Sequence, residues 1–169
     1  MLRKLLAAFA VVVLFAVVLV FFGGETPGLV APGDVAPQIR AGQWVGGDEP
    51  QFAGKIVVVD IFATWCAPCV KTTPPLIDVY EEFKDQGVVF VGLTTEDGNS
   101  RREVEAFREQ MNIPWTLGID ATETIAEIGV PILPLLVVIG PDGKVLSVGG
   151  DDRTLRETLS RAIAYHKAS

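Results

Sequence analysis

The chain has 169 residues and a formal net charge of −7, which leaves room for one domain of about 135 to 145 residues and no second. Without Arg3 and Lys4 the remainder holds 12 basic and 21 acidic residues, a net charge of −9, and nucleic acid is excluded as an expected partner. No low-complexity tract or internal repeat is present.

From Leu5 to Phe22 run eighteen residues without a polar side chain. At 1.5 Å per residue they would span roughly 27 Å, close to the thickness of a bilayer core. Secretory signals have shorter apolar regions, and small residues at cleavage spacing are missing downstream. Residues 1–24 are therefore expected to be a retained membrane anchor, a single transmembrane helix. Arg3 and Lys4 place its N-terminus in the cytoplasm and everything after Phe22 on the extracytoplasmic, periplasmic side. Residues 25–37, rich in Gly and Pro, read as a flexible tether, and 38–169 as the folded domain.

Within that domain, residues 38–52 support nothing beyond a possible hairpin near Gln43 to Val45. Ile56 to Phe62 is β-branched and nearly continuous, as in a central strand covered on both faces. From Pro68 onward Val70, Leu76, Ile77, Val79, Tyr80 and Phe83 alternate with charges at helical spacing, interrupted by Pro74-Pro75 and ended by Gly87. A second buried strand is expected at Val88 to Leu93 and a helix over 100–111. A short strand around Trp115 to Ile119 and a brief helix through Ile125 and Ile128 follow. Leu135 to Ile139 is strand-like, Gly140-Pro141-Asp142-Gly143 is a hairpin turn, and Lys144 to Val148 pairs back. Asp151 or Asp152 caps a last helix that turns Leu155, Leu159 and Ile163 inward. This order describes an α/β sandwich with a mixed sheet.

The two cysteines, Cys66 and Cys69, stand between a buried strand and a helix start. A helix N-terminus offers free N–H groups and a positive dipole end, which stabilise a thiolate on Cys66. Pro68 sits in the first turn, where its missing N–H costs little. Cys66 is then the exposed nucleophile, and Cys69, facing the body, resolves the mixed disulfide. As a staple, so short a loop would contribute only roughly 2 kcal/mol.

The segment Phe62-Ala63-Thr64-Trp65-Cys66-Ala67-Pro68-Cys69 resembles the active-site motif of the thioredoxin superfamily, especially its membrane-anchored TlpA/ResA-type branch within the AhpC/TSA-redoxin clan. Pro74 matches the family's helix-kinking proline. Ile128 to Pro134 resembles the segment that ends in its cis-proline, and Ile139 to Val145 the hairpin that follows. The resemblance implies a thioredoxin-like sandwich, with a central mixed sheet flanked by helices, and a thiol-disulfide oxidoreductase that uses no cofactor beyond the Cys66–Cys69 disulfide. It also implies that Pro134, rather than its competitor Pro131, is cis, and that the backbone of Leu133 receives a substrate strand. The hydroxyl residue that often follows the proline is replaced by Leu135, which leaves substrate identity open.

Asp60 is costly in an apolar strand unless used, and thioredoxins resemble this sequence in carrying an acid there. Burial would raise its pKa and make it a proton acceptor for Cys69. Glu96 matches the place of an active-site acid in ResA-like proteins and is a second candidate for proton transfer. Trp65 is expected to shield and dock at the pair. The implied partners are exported thiol or disulfide proteins such as apocytochrome c, a membrane electron donor of thioredoxin-reducing type, and the membrane itself.

Metal binding fails on ligand count, since two cysteines and the distant His166 do not make a zinc site. Val70 stands where haem attachment needs histidine. A peroxidatic cysteine would follow a threonine by three residues, and that place is Ala63. The alternatives to a reductant are a tethered adaptor in which the disulfide merely persists, and a peroxidase of the redoxin clan.

Overall fold

The computed structural model describes residues 28–168. The apolar run of residues 5–22 lies outside them. Among the described residues no helix is long and apolar enough to cross a membrane.

The strands are β1 (Gln43–Val45), β2 (Ile56–Ile61), β3 (Val88–Leu93), β4 (Thr116–Ile119), β5 (Leu135–Ile139) and β6 (Val145–Val148). The helices are α1 (Ala67–Phe83), α2 (Arg101–Met111), α3 (Thr122–Ile128) and α4 (Asp152–Ala168). One six-stranded sheet runs in the order β1-β4-β3-β2-β5-β6. β2, β3 and β4 are parallel, and β1, β5 and β6 join antiparallel. The sheet is thus mixed, as expected from the element order.

Every residue of β2 is buried, because this strand has a neighbour on each edge and a layer on each face. Its period of two divides the core. Ile56, Val58 and Phe62 join a cluster with Leu76, Val79, Phe107 and Leu159, beneath α1, α2 and α4. Val57, Val59 and Ile61 face the other way, toward Ile125 and Ile128 of α3. The even phase also carries Asp60 onto the face that holds both cysteines. Gly92, opposite Asp60 in β3, makes room for the neighbouring Phe62: a Cβ there would lie 2.4 Å from Leu117 Cδ2 and 3.1 Å from the Phe62 ring.

Two expectations are corrected. Gln43–Val45 is no hairpin but a single edge strand paired with β4; its partner lies over seventy residues away, beyond the reach of local pattern. Residues 28–37, expected as part of a flexible tether, lie against the domain. Val30 N–H donates to Ile128 O (3.0 Å), Gly33 N–H to Val145 O (2.8 Å) and Ala36 N–H to Gly143 O (2.9 Å), while Val35 bridges Lys144. Val30 and Ala36 pack on the core. Their Gly and Pro content shapes a tight path along the surface. A Cβ at Gly129, which adopts φ +74°, would stand 2.5 Å from Gly28 O, so only glycine admits the segment there.

Candidate active site

β2 ends at Ile61, and Phe62 continues its line by donating from N–H to Leu93 O (3.1 Å). The chain then turns through Ala63-Thr64-Trp65 into α1, whose N-cap is Cys66. Cys66 Sγ accepts a hydrogen bond from Cys69 N–H (3.2 Å). That is the interaction by which a helix N-terminus favours negative charge on sulfur. Cys66 and Cys69 form a disulfide with their Cα atoms 5.3 Å apart. The hydroxyls of Thr72 and Thr73 both donate to Cys69 O, at 3.1 and 2.9 Å, so the first turns of the helix are tied to the resolving cysteine.

The expectation of an exposed Cys66 is corrected, for in the disulfide it is only 4% exposed and Cys69 2%. What faces solvent is Trp65, 76% exposed, together with Ala67 and Pro68. Trp65 is therefore free to meet a partner. Ile132, 73% exposed, stands one residue before Leu133.

The Leu133-Pro134 bond is cis, and Pro131 is not the cis residue. Because Ile61 pairs with Leu135, Pro134 lies at the same end of the sheet as the turn from Phe62 to Cys66. Leu133 packs against the cluster that contains both cysteines. Register alone brings the two loops, almost seventy residues apart, to one place.

Asp60 is 7% exposed, and its side-chain carboxyl takes part in no hydrogen bond or ion pair among the described residues. Desolvation raises its carboxyl from 3.8 to about 7. It lines a cleft of about 190 Å³ with Thr72, Leu76, Pro134, Asp151 and Asp152.

Glu96 is built differently. It accepts from Thr64 N–H (2.9 Å) and Thr64 Oγ1–H, and from Thr94 Oγ1–H (3.0 Å). Thr64 is two residues from Cys66, so the carboxylate holds the loop that positions the nucleophile. Its oxygens are occupied by that role, and its hydrogen bonds among the described residues include neither sulfur. Thr64, Thr94 and Thr73 escaped the sequence reading, because a threonine carries no signal until its acceptor is known. Among the described residues no cluster of His, Cys, Asp and Glu could hold a metal ion.

A buried strand leading into a helix capped by a cysteine pair, with a cis-proline loop at its side, defines a thioredoxin-like domain. Residues 32–148 match the family model described as AhpC/TSA family, and the chain belongs to that family. It is 33% identical over 96 residues to the thiol-disulfide oxidoreductase ResA of Bacillus thuringiensis subsp. konkukian, covering 56% of this chain and 54% of that one. It is 28% identical over 131 residues to ResA of Geobacillus thermodenitrificans, covering 76% and 73%. The chain thus spans about half the length of the first of these relatives. The thioredoxin domain of a thiol-disulfide oxidoreductase from Bacteroides vulgatus superposes with a TM-score of 0.70 at 24% identity, over 79% of this chain and 99% of the other, a likeness of fold.

Proposed function

We propose that this chain is a thiol-disulfide oxidoreductase that reduces disulfides of exported proteins, such as apocytochrome c, from the extracytoplasmic face of the membrane. The observation that carries the reading is the Cys66–Cys69 pair at the start of α1, next to cis-Pro134 and on the same sheet face as the buried Asp60. The relatives named ResA support it. The apolar run Leu5 to Phe22 after Arg3 and Lys4 supports the membrane location.

In the reduced form the Cys66 thiolate attacks one sulfur of a substrate disulfide. A Cys66–substrate disulfide forms and the other substrate sulfur leaves as a thiolate. Cys69, giving its proton to Asp60, then attacks Cys66 Sγ and expels the second substrate sulfur. Two electrons pass to the substrate, its two thiolates take up two protons, and the Cys66–Cys69 disulfide remains. A membrane dithiol donor of thioredoxin-reducing type restores the pair by the reverse exchange. Glu96 serves as the positioning residue of the Thr64 loop.

The test uses the full chain with a disulfide-bridged peptide carrying Cys-x-x-Cys-His. Cys69→Ser should accumulate a mixed disulfide through Cys66, seen as a mass increase lost on adding dithiothreitol, and Cys66→Ser should accumulate none. Equal labelling of both variants, or of neither, would sink the exchange mechanism. A measured potential near the strongly oxidising value of about −120 mV, instead of toward about −270 mV, would reverse the assigned direction.

A further inference from the structure

The cleft over Asp60 is more than a path for one proton. Its floor is a carboxyl more than nine-tenths buried, without a hydrogen-bond partner among the described residues. Its rim is the junction of β6 and α4, where Asp151 and Asp152 follow Gly149 and Gly150, two glycines with φ +70° and +99° that bring the backbone around without adding a side chain. Gly149 N–H donates to Leu136 O (2.7 Å), which fixes this rim to the strand beside Asp60. The other wall contains Thr72 and Leu76 of α1 and Pro134 of the cis-proline loop, none of which titrates.

Three carboxyls therefore line one opening, and no lysine, arginine or histidine lines it among the described residues. Two cations act on the rim without lining the cleft: Arg156, which meets Asp152 Oδ2 (2.6 Å) and Glu82 Oε2 (2.9 Å), and Arg153, whose charge helps to lower the Asp151 carboxyl. Asp151 Oδ1 caps α4 through Thr154 N–H (2.8 Å) and Oγ1–H (2.7 Å). The Asp151 carboxyl also takes a hydrogen bond from its own backbone, and Asp152 meets Arg156 through Oδ2 alone. At about 190 Å³ the cleft equals roughly six water volumes, room for one long side chain.

We propose that this cleft is a subsite for a cationic side chain, lysine or arginine, of the disulfide substrate, taken in beside cis-Pro134. The proposal rests on the oxidoreductase reading and names its substrate class. The apolar stem of such a side chain lies along Leu76 and Pro134 while its charge meets the carboxyls. Bound, it satisfies the carboxyl of Asp60 and stabilises its ionised form. Substrate docking and the proton acceptor's charge are then coupled. Asp60 gains charge as pH rises through about 7, so discrimination for a cation grows over the same interval.

The experiment compares, on the full chain in detergent, disulfide-bridged peptides that differ only in lysine or its uncharged isostere norleucine. The residue is scanned over the two positions on either side of the attacked cysteine. At one position lysine should raise kcat/KM about tenfold at pH 8 in low salt, the size expected of a partly desolvated charge pair. The preference should shrink at about pH 5.5, and in high salt. Asp151→Asn combined with Asp152→Asn should cut it to about threefold, and asparagine keeps the helix cap. In the Cys69→Ser mixed disulfide, the Asp60 carboxyl followed by carbon NMR should titrate lower with the lysine peptide than with norleucine. Equal rates at every position overturn the subsite while the exchange reaction stands. A lysine preference that neither the paired variant nor the Asp60 titration registers overturns it too. If neither peptide is reduced, the oxidoreductase reading fails and the subsite falls with it.

Discussion

Asp60 and Glu96 stand at the ends of adjacent parallel strands and solve opposite problems. Asp60, across from Gly92, is almost fully buried and unpartnered, so its burial is expressed as a proton held to about pH 7. Glu96, three residues past β3, accepts three hydrogen bonds, so its charge is expressed as geometry, a fixed Thr64 two residues from Cys66. Burial without a partner acts on the protonation of Asp60, and three donors turn Glu96 into a clamp on the loop that carries Thr64.

The largest expected effect breaks the first half of that contrast. The folded chain holds a proton on Asp60 that the unfolded chain releases above its ordinary value of 3.8. Stability from this group is thus full below about pH 4, falls as pH rises, and is lost by about pH 7. A displacement from 3.8 to about 7 corresponds to about 4 kcal/mol. Asp60→Asn should remove that fall, so that the difference in unfolding free energy between pH 4 and pH 8, measured by denaturant titration, changes by about 4 kcal/mol relative to the parent. A parallel pH dependence in the two proteins would show that Asp60 is not desolvated.

The second effect tests the clamp. Glu96→Ala leaves Thr64 N–H without its acceptor and should cost about 2 to 3 kcal/mol. It should slow the attack by Cys66 more than resolution by Cys69, read by stopped-flow as a slower first phase. The smallest effect sharpens the clamp to one bond. Thr64→Val removes the hydroxyl donor but keeps the N–H contact, and about 1 kcal/mol is expected. A loss as large as that of Glu96→Ala would place the weight on the hydroxyl and not on the backbone.

Much of the fold was legible because its central strands are nearly continuous apolar runs. Ile56 to Ile61, Val88 to Leu93 and Leu135 to Ile139 are preceded by Lys55, Gly87 and Pro134, and these signals act locally. β1 was not legible as a lone strand, since Gln43–Val45 is three residues long and owes its existence to β4. Residues 28–37 read as a tether from their composition, yet their backbone groups are bound by Ile128, Gly143 and Val145. Asp60 could be singled out because an acid inside an apolar strand is costly wherever that strand lies. The work of Glu96 could not be read, because it depends on Thr64, thirty-two residues earlier.

The cysteine pair at a strand-to-helix junction and the phase of β2 were determined by the sequence itself, whereas cis-Pro134 was implied only by the family resemblance. The first two depend on spacing and residue type within one segment. The covering of Cys66, the lack of a side-chain partner for Asp60 and the three carboxyls of its cleft were decided by the tertiary structure. Asp60 and Asp151 are about ninety residues apart, and only the closing of the sheet and the docking of α4 put them on one opening. Burial and electrostatic environment belong to the assembled layers, and no local stretch of chain contains them.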